Sequence, residues 1–188
     1  MNIYLLKNDP HQYKTLDYNK YEKAFQTKDK TLLARLRNDP FESIGLSDVW
    51  EEGQACFTKT YPSSSQVPDI SVWGTFLLLN RKAYEALKDQ ISDDVEFLPI
   101  QVDGQAFTFA NVLSFCREDM VKTTFDSETN ELNTLFFDGT DLNRKIVFKS
   151  KLEGCLNLYA TETLMNLCNN HGLNGIHFER DLVNFFVD

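Results

Sequence analysis

Two rhythms of apolar and polar residues alternate along this chain. The run "TFLLL", closing at Leu79, is continuous enough for a buried strand. In "NRKAYEALKDQI", which follows, the spacing turns helical, with Ala83, Tyr84, Leu87 and Ile91 on one face and Asn80 placed as the N-cap. "VEFLPIQV" predicts the next strand, Asp103-Gly104 a tight hairpin turn, and "QAFTFANVL" the returning strand. Further on, "TLFFD" and "KIVFKSK" read as two strands around the turn "GTDLN". The chain closes with the strand "LNLYA", the helix "TETLMNLCNNH" and the strand "GIHFERD".

The N-terminal part is patterned differently. "NIYLL" predicts an opening strand, while "LDYNKYEKAFQ" and "KTLLARLR" have helical spacing, the second ended by Asp39-Pro40. "YPSSSQVPD", residues 61–69, is the clearest loop, and it is the one plausible boundary between a region 1–67 and a main body 68–188.

Sliding residues 158–178 back by 81 positions lays them over residues 77–97 without a gap. Leu77, Asn80, Ala83, Tyr84, Leu87, Val95 and Phe97 then meet Leu158, Thr161, Leu164, Met165, Cys168, Ile176 and Phe178. Each unit is a strand, a polar cap, an amphipathic helix and a second strand, and His177 falls over Glu96. Identity is minimal, so the echo establishes a shared construction and not a duplication. The predicted fold class is α+β: one domain, a mixed and largely antiparallel sheet packed by helices, with a partly helical N-terminal element.

Composition narrows the function classes. With 188 residues, 42% of them hydrophobic, the chain is long enough to bury a core without disulfide or metal staples. Cys56, Cys116, Cys155 and Cys168 are far apart and form no C-x-x-C pair, which excludes a zinc knuckle and a thioredoxin-type motif. The apolar run in "MNIYLLKNDP" is too short for a signal peptide, and no stretch is long enough to span a membrane, so a reducing cytoplasm is the expected location. Net charge is −9, distributed as +4 over residues 1–37 and −13 over the rest. An acidic body lacks the basic footprint that nucleic acid requires and suits a basic protein partner, although acidity also serves solubility alone.

The densest candidate chemistry is "NNHGLNGIHFERD", residues 169–181. Strand alternation puts His177, Glu179 and Asp181 on one face, where a metal-dependent hydrolase could use them. The competing account explains more letters. Leu164, Met165, Leu167 and Cys168 form a buried helix face, Gly172 is a left-handed cap, and His171 suits the helix C-terminus. Ile176 and Phe178 then enter the core while His177 and Glu179 face water. "FDGTD" lacks the spacing of calcium or phosphate loops. There is no G-x-S-x-G, P-loop or G-x-G-x-x-G motif, and Cys116 and Cys168 read as buried apolar residues. Neither a catalytic residue nor a cofactor or metal ligand is therefore assigned.

Four features in order from about residue 68 carry a resemblance: "PDISVWGTFLLLNRKAYEAL", "VEFLPIQVDGQAFTFANVL", the strands "LFFD" and "IVFKSK", and "LYATETLMNLCNNHGLNGIHFE". This succession resembles a bacterial family of polymorphic-toxin immunity proteins, grouped as immunity protein eleven. The matching elements are Glu96 to Ile100, Phe107 to Leu113, and Gly172 to Phe178. Asn80 keeps the role of the family's serine N-cap, and the family's aspartate–serine pattern has its best match at Asp126-Ser127. The resemblance implies a cytoplasmic inhibitor in interbacterial competition, which neutralises a cognate toxin by protein–protein occlusion or an allosteric clamp. It implies no catalytic residues. The candidate interface comprises two acidic stretches: Glu42, Asp48, Glu51 and Glu52 with Trp50 as an aromatic anchor, and Asp126, Glu128, Glu131, Asp138 and Asp141. The other classes left open are the hydrolase above and a structural or regulatory subunit of a larger assembly.

Overall fold

The computed structural model describes residues 2–17, 34–35 and 41–185. Of the two helices expected in the N-terminal third, only Leu16, Asp17, Ala34 and Arg35 fall within it: Ala34 and Arg35 are helical, whereas Leu16 pairs with Phe57 in a short strand and Asp17 follows it; the remainder lies outside the described residues.

The elements follow in chain order. They are β1 (Ile3–Asn8), β2 (Thr15–Leu16), β3 (Gly53–Ala55), β4 (Phe57–Thr58), β5 (Ile70–Trp73) and β6 (Phe76–Leu79). Next come α1 (Arg81–Ile91), β7 (Val95–Val102), β8 (Gln105–Val112), β9 (Thr124–Phe125) and β10 (Leu132–Thr134). The chain ends with α2 (Gly139–Leu142), β11 (Val147–Phe148), β12 (Tyr159–Thr161), α3 (Glu162–His171) and β13 (Ile176–Glu179). The expected α+β class is the observed one. Every pairing among these strands is antiparallel except β3 with β7.

Five strands form the larger sheet in the order β3-β7-β8-β6-β5, and four form the smaller one in the order β11-β12-β1-β13. Both predicted strand–helix–strand units recur here in one design. In the first, β6 and β7 flank β8; in the second, β12 and β13 flank β1. The middle strand is antiparallel to both neighbours in each case. Register agrees as well. Ala110 lies between Leu77 and Phe97. Leu6 takes the same place, paired with Phe178 and donating its N–H to Leu158 at 2.8 Å. Edge strands β5 and β11 complete two half-sheets of matching order.

Local chemistry explains the helices and the hairpin. Asn80 accepts the Ala83 amide at 2.9 Å, and Ala83, Leu87 and Ile91 are buried beneath it. Thr161 holds the corresponding cap position without a side-chain cap bond. Helix α3 stops at Gly172, whose left-handed φ of 57° carries its N–H back to Cys168 and Asn169. Asp103 and Gly104 both have positive φ, 50° and 75°, as the two-residue turn between β7 and β8 requires.

Three apolar clusters divide the core. One lies on the helix side of both sheets and joins Leu6, Leu77, Leu79, Ala110, Leu158 and Ala160 to α1 and α3, which touch each other. Phe76, Leu78, Leu98, Ile100, Phe107 and Phe109 occupy the other face of the larger sheet, under Leu46 and Trp50. Leu5, Phe148 and Tyr159 fill the other face of the smaller sheet, under Leu135, Phe137 and Leu142. Because both faces are covered, "FLLL" is apolar at every position.

The two sheets meet where β5 lies against β1 and β13. The Asn8 side chain exchanges two hydrogen bonds of 2.7 Å with the Val72 backbone there. At Gly175 a Cβ would stand 2.3 Å from the Ile70 carbonyl oxygen and 2.4 Å from Pro68, and φ is +124°, so only glycine fits.

Two expectations shift. "TLFFD" is not a strand across its length: β10 ends at Thr134, and beyond it Phe137 makes only an isolated bridge to Glu118. "GTDLN" is a single helical turn, because Asp138 accepts the Thr140 amide as an N-cap.

Candidate functional site

Between β8 and β11 the chain makes a long excursion over the outer face of the smaller sheet. Its outward limb leads into β9, its return limb begins with β10, and the two pair as a narrow ribbon. Asp126 closes the tip by accepting the amides of Glu128 at 2.9 Å and Thr129 at 2.8 Å, and the Thr124 and Thr134 hydroxyls meet at 2.7 Å. On the return limb the alternation continues past the end of β10. Leu135 and Phe137 turn inward and Phe136 outward. The Phe137 ring packs edge-on against Phe148 and Tyr159 at 5.0 and 5.2 Å, which fixes the excursion to the sheet.

Residues 117–143 hold seven carboxylates against two bases, a net charge of −5. Both bases are engaged locally, Arg117 with Asp138 and Lys122 with Asp119. The Thr140 hydroxyl and amide and the Arg117 guanidinium hold the Asp138 carboxyl down to about 2, below the ordinary carboxylate range. Asp141 accepts the Arg117 amide at 2.7 Å. Glu118 turns inward to accept Ser150 Oγ at 2.6 Å and the Lys151 amide at 2.8 Å. Asp126, Glu128 and Glu131 form no ion pair among the described residues.

A cavity of about 600 Å³ opens between this excursion, the start of β1 and the segment leaving β13. Leu135, Leu142 and Val183 supply apolar walls, Asn133 and Asn143 supply amides, and Phe136 stands on the lining while 46% exposed. Lys122, Arg180 and Asp181 are its charged members. Volumes of this order are typical of sites that enclose a ligand or a partner's side chain. Other apolar groups on the excursion also face out: Met120 is 57% exposed, Val121 94% and Phe125 39%.

The two predicted acidic stretches are held to different sheets. Asp126, Glu128, Glu131, Asp138 and Asp141 belong to the excursion. Residues 42–52 instead cover the larger sheet. There Glu96 accepts the Leu46 amide at 2.6 Å and draws Leu46 into the cluster below. Trp50 is half-buried, with Nε1 donating to the Pro99 carbonyl at 2.8 Å and its ring edge-on to Phe109. Asp48 meets Arg35 at 2.6 Å, Glu52 accepts Gln101 Nε2 at 2.6 Å, and Glu42 and Glu51 are exposed.

The C-terminal polar strand is spent largely on itself. Glu179 is half-buried, 3.9 Å from Lys7, and accepts the Asp181 amide, which holds its carboxyl below the usual range. Asp181 accepts the Val183 amide. His177 is exposed, and Ile176 and Phe178 are half-buried against the shared core. Among the described residues no three His, Cys, Asp or Glu side chains are grouped to hold a metal ion. None of the four cysteines forms a disulfide; burial pushes the thiols of Cys116 and Cys168 up to about 12, away from reactive thiolates.

The apolar half of this site is what the sequence reading overlooked. Its signal lies in the sequence: Met120, Val121, Phe125 and Phe136 interrupt a strongly acidic stretch. No helix among the described residues is long and apolar enough to cross a membrane. Compared with models of known protein families and with curated proteins, the chain matches none.

Proposed function

We propose that this chain is an immunity protein that binds a cognate bacterial toxin and neutralises it by covering the toxin's working surface. The observation that carries the reading is the excursion over the smaller sheet. It pairs a net charge of −5 with outward-facing apolar side chains beside an open cavity. Apolar anchors supply most of the energy of a protein interface, and surrounding charge speeds encounter with an oppositely charged partner. The succession of strand, helix, hairpin and "GLNG" turn that resembles the immunity family supports it. So does the use of nearby carboxylates as turn and helix caps, which leaves them holding structure. The location expected on this reading is the cytoplasm, where a toxin entering the cell would be met.

Expression of the toxin encoded beside this chain, with and without the chain, tests the proposal. Restored growth together with a stoichiometric complex on size exclusion is the expected result. Persisting toxicity with no complex would overturn it.

A further inference from the structure

We infer that the cavity and the acidic ribbon beside it form one docking site, whose occupant is a protein segment bearing an apolar side chain flanked by lysine or arginine. The inference rests on the preceding reading that the chain works by binding a protein, and it adds where and what it binds.

Two independent features select this occupant. The first is shape: a space of about 600 Å³ is lined in part by Leu135, Leu142 and Val183, and Phe136 stands on that lining 46% exposed. A partner's leucine or aromatic ring entering there would lose its water against carbon, the usual origin of an interface anchor. The second is charge. Lys122 on the lining is already neutralised by Asp119 at 2.8 Å, and Arg180 is followed directly by Asp181, so the cavity itself carries little net charge. The ribbon tip does carry charge, because Asp126, Glu128 and Glu131 have no cationic partner among the described residues. Lysine or arginine on either side of the anchor supplies the missing cations. Nucleic acid and anionic small molecules would meet this same charge as repulsion.

Titration of the ¹⁵N-labelled full chain with a synthetic peptide, acetyl-Lys-Lys-Leu-Trp-Lys-Lys-amide, followed by backbone NMR shifts, tests the site without the toxin. Shifts concentrated at residues 124–143 and 180–183 are expected. Affinity should fall by about tenfold or more when Glu128→Lys and Glu131→Lys are combined, since attraction becomes repulsion at both positions. Phe136→Ser should also weaken it, whereas Asp89→Lys, at an exposed position of α1, should not. Each variant's own spectrum reports whether it is folded. Shifts mapping elsewhere, an absence of shifts, or equal affinity for a peptide with glutamate replacing every lysine would overturn the inference. Such a failure leaves the immunity proposal to its own growth test. Conversely, peptide binding at the ribbon with no protection against the toxin would remove the immunity reading and keep the docking site.

Discussion

The units at 77–97 and 158–178 share a frame and fill it differently. Both place a helix between two strands that flank a third, and the same sequence offset relates their caps, their helices and their middle-strand neighbours. The middle strand of the first unit, β8, arrives by the two-residue turn at Asp103-Gly104, so that unit is completed locally. The middle strand of the second is β1, from the other end of the chain. Equivalent slots also do different work. Glu96 pairs with Asn111 across β7 and β8, and accepts the Leu46 and Ser47 amides; it is thereby what fastens residues 45–47 over the larger sheet. His177, opposite Lys7, takes the same place in the second unit and is exposed. A repeated frame can thus hold a covering segment on one side while the other side carries the cavity and the ribbon.

The slot shared by Asp94 and Gly175 is the most exacting test of this comparison, since each joins its own unit to the other sheet. Asp94 is buried and accepts the amides of Ile146 at 2.7 Å and Val147 at 3.2 Å, and the Ser114 hydroxyl at 2.6 Å. Asp94→Ala leaves these donors without an acceptor at about 1–3 kcal/mol each, so it should lower stability most, measurable by urea unfolding. Gly175→Ala forces a Cβ onto Ile70 and Pro68 at a backbone angle unsuited to alanine, and should cost roughly 3 kcal/mol. Gly172→Ala, strained at φ 57° but with open space around it, should cost less, about 1 kcal/mol. If Gly175→Ala proved as mild as Gly172→Ala, the contact between the sheets would not be the reason for that glycine.

Smaller effects sharpen the contrast between the two caps and the two outer faces. Asn80→Ala should cost about 1 kcal/mol by thermal melting, because its side chain caps α1 and also donates to Asp69 at 2.7 Å. Glu153, close to the outer cluster of the smaller sheet, is raised by burial from 4.5 to about 7 despite accepting the Leu156 and Asn157 amides. The folded chain then holds this proton more tightly than the unfolded one. Its stabilising contribution is present below about pH 4.5 and is lost as pH rises through about 7. Glu153→Gln should therefore flatten the dependence of melting temperature on pH between those values, with the larger gain over the parent chain at the upper end.

Much of this architecture was legible because its causes are local. Asn80, Gly172 and the Asp103-Gly104 turn act through neighbours a few residues away, and α1, α3, β7 and β8 appear where the pattern put them. The excursion departs from the expected strand "TLFFD" because its inward residues, Leu135 and Phe137, join the cluster of Phe148 and Tyr159 rather than a ladder of their own. Trp50, expected as an aromatic anchor, has Phe109 and the Pro99 carbonyl on one side of it. The carboxylates of the excursion were found as candidates; the cavity beside them was not, since its walls come from three separate parts of the chain.

What the sequence determined by itself was the strands and helices of the two related units and of the hairpin, their caps, and the offset that relates the units. These follow from backbone preferences and from the period at which apolar residues recur. Tertiary structure alone decided that β1 enters between β12 and β13, that Gly175 must pass against Ile70, and that the ribbon stands beside an open cavity. Those outcomes depend on which distant surfaces exclude water together, and periodicity along a chain carries no record of that choice.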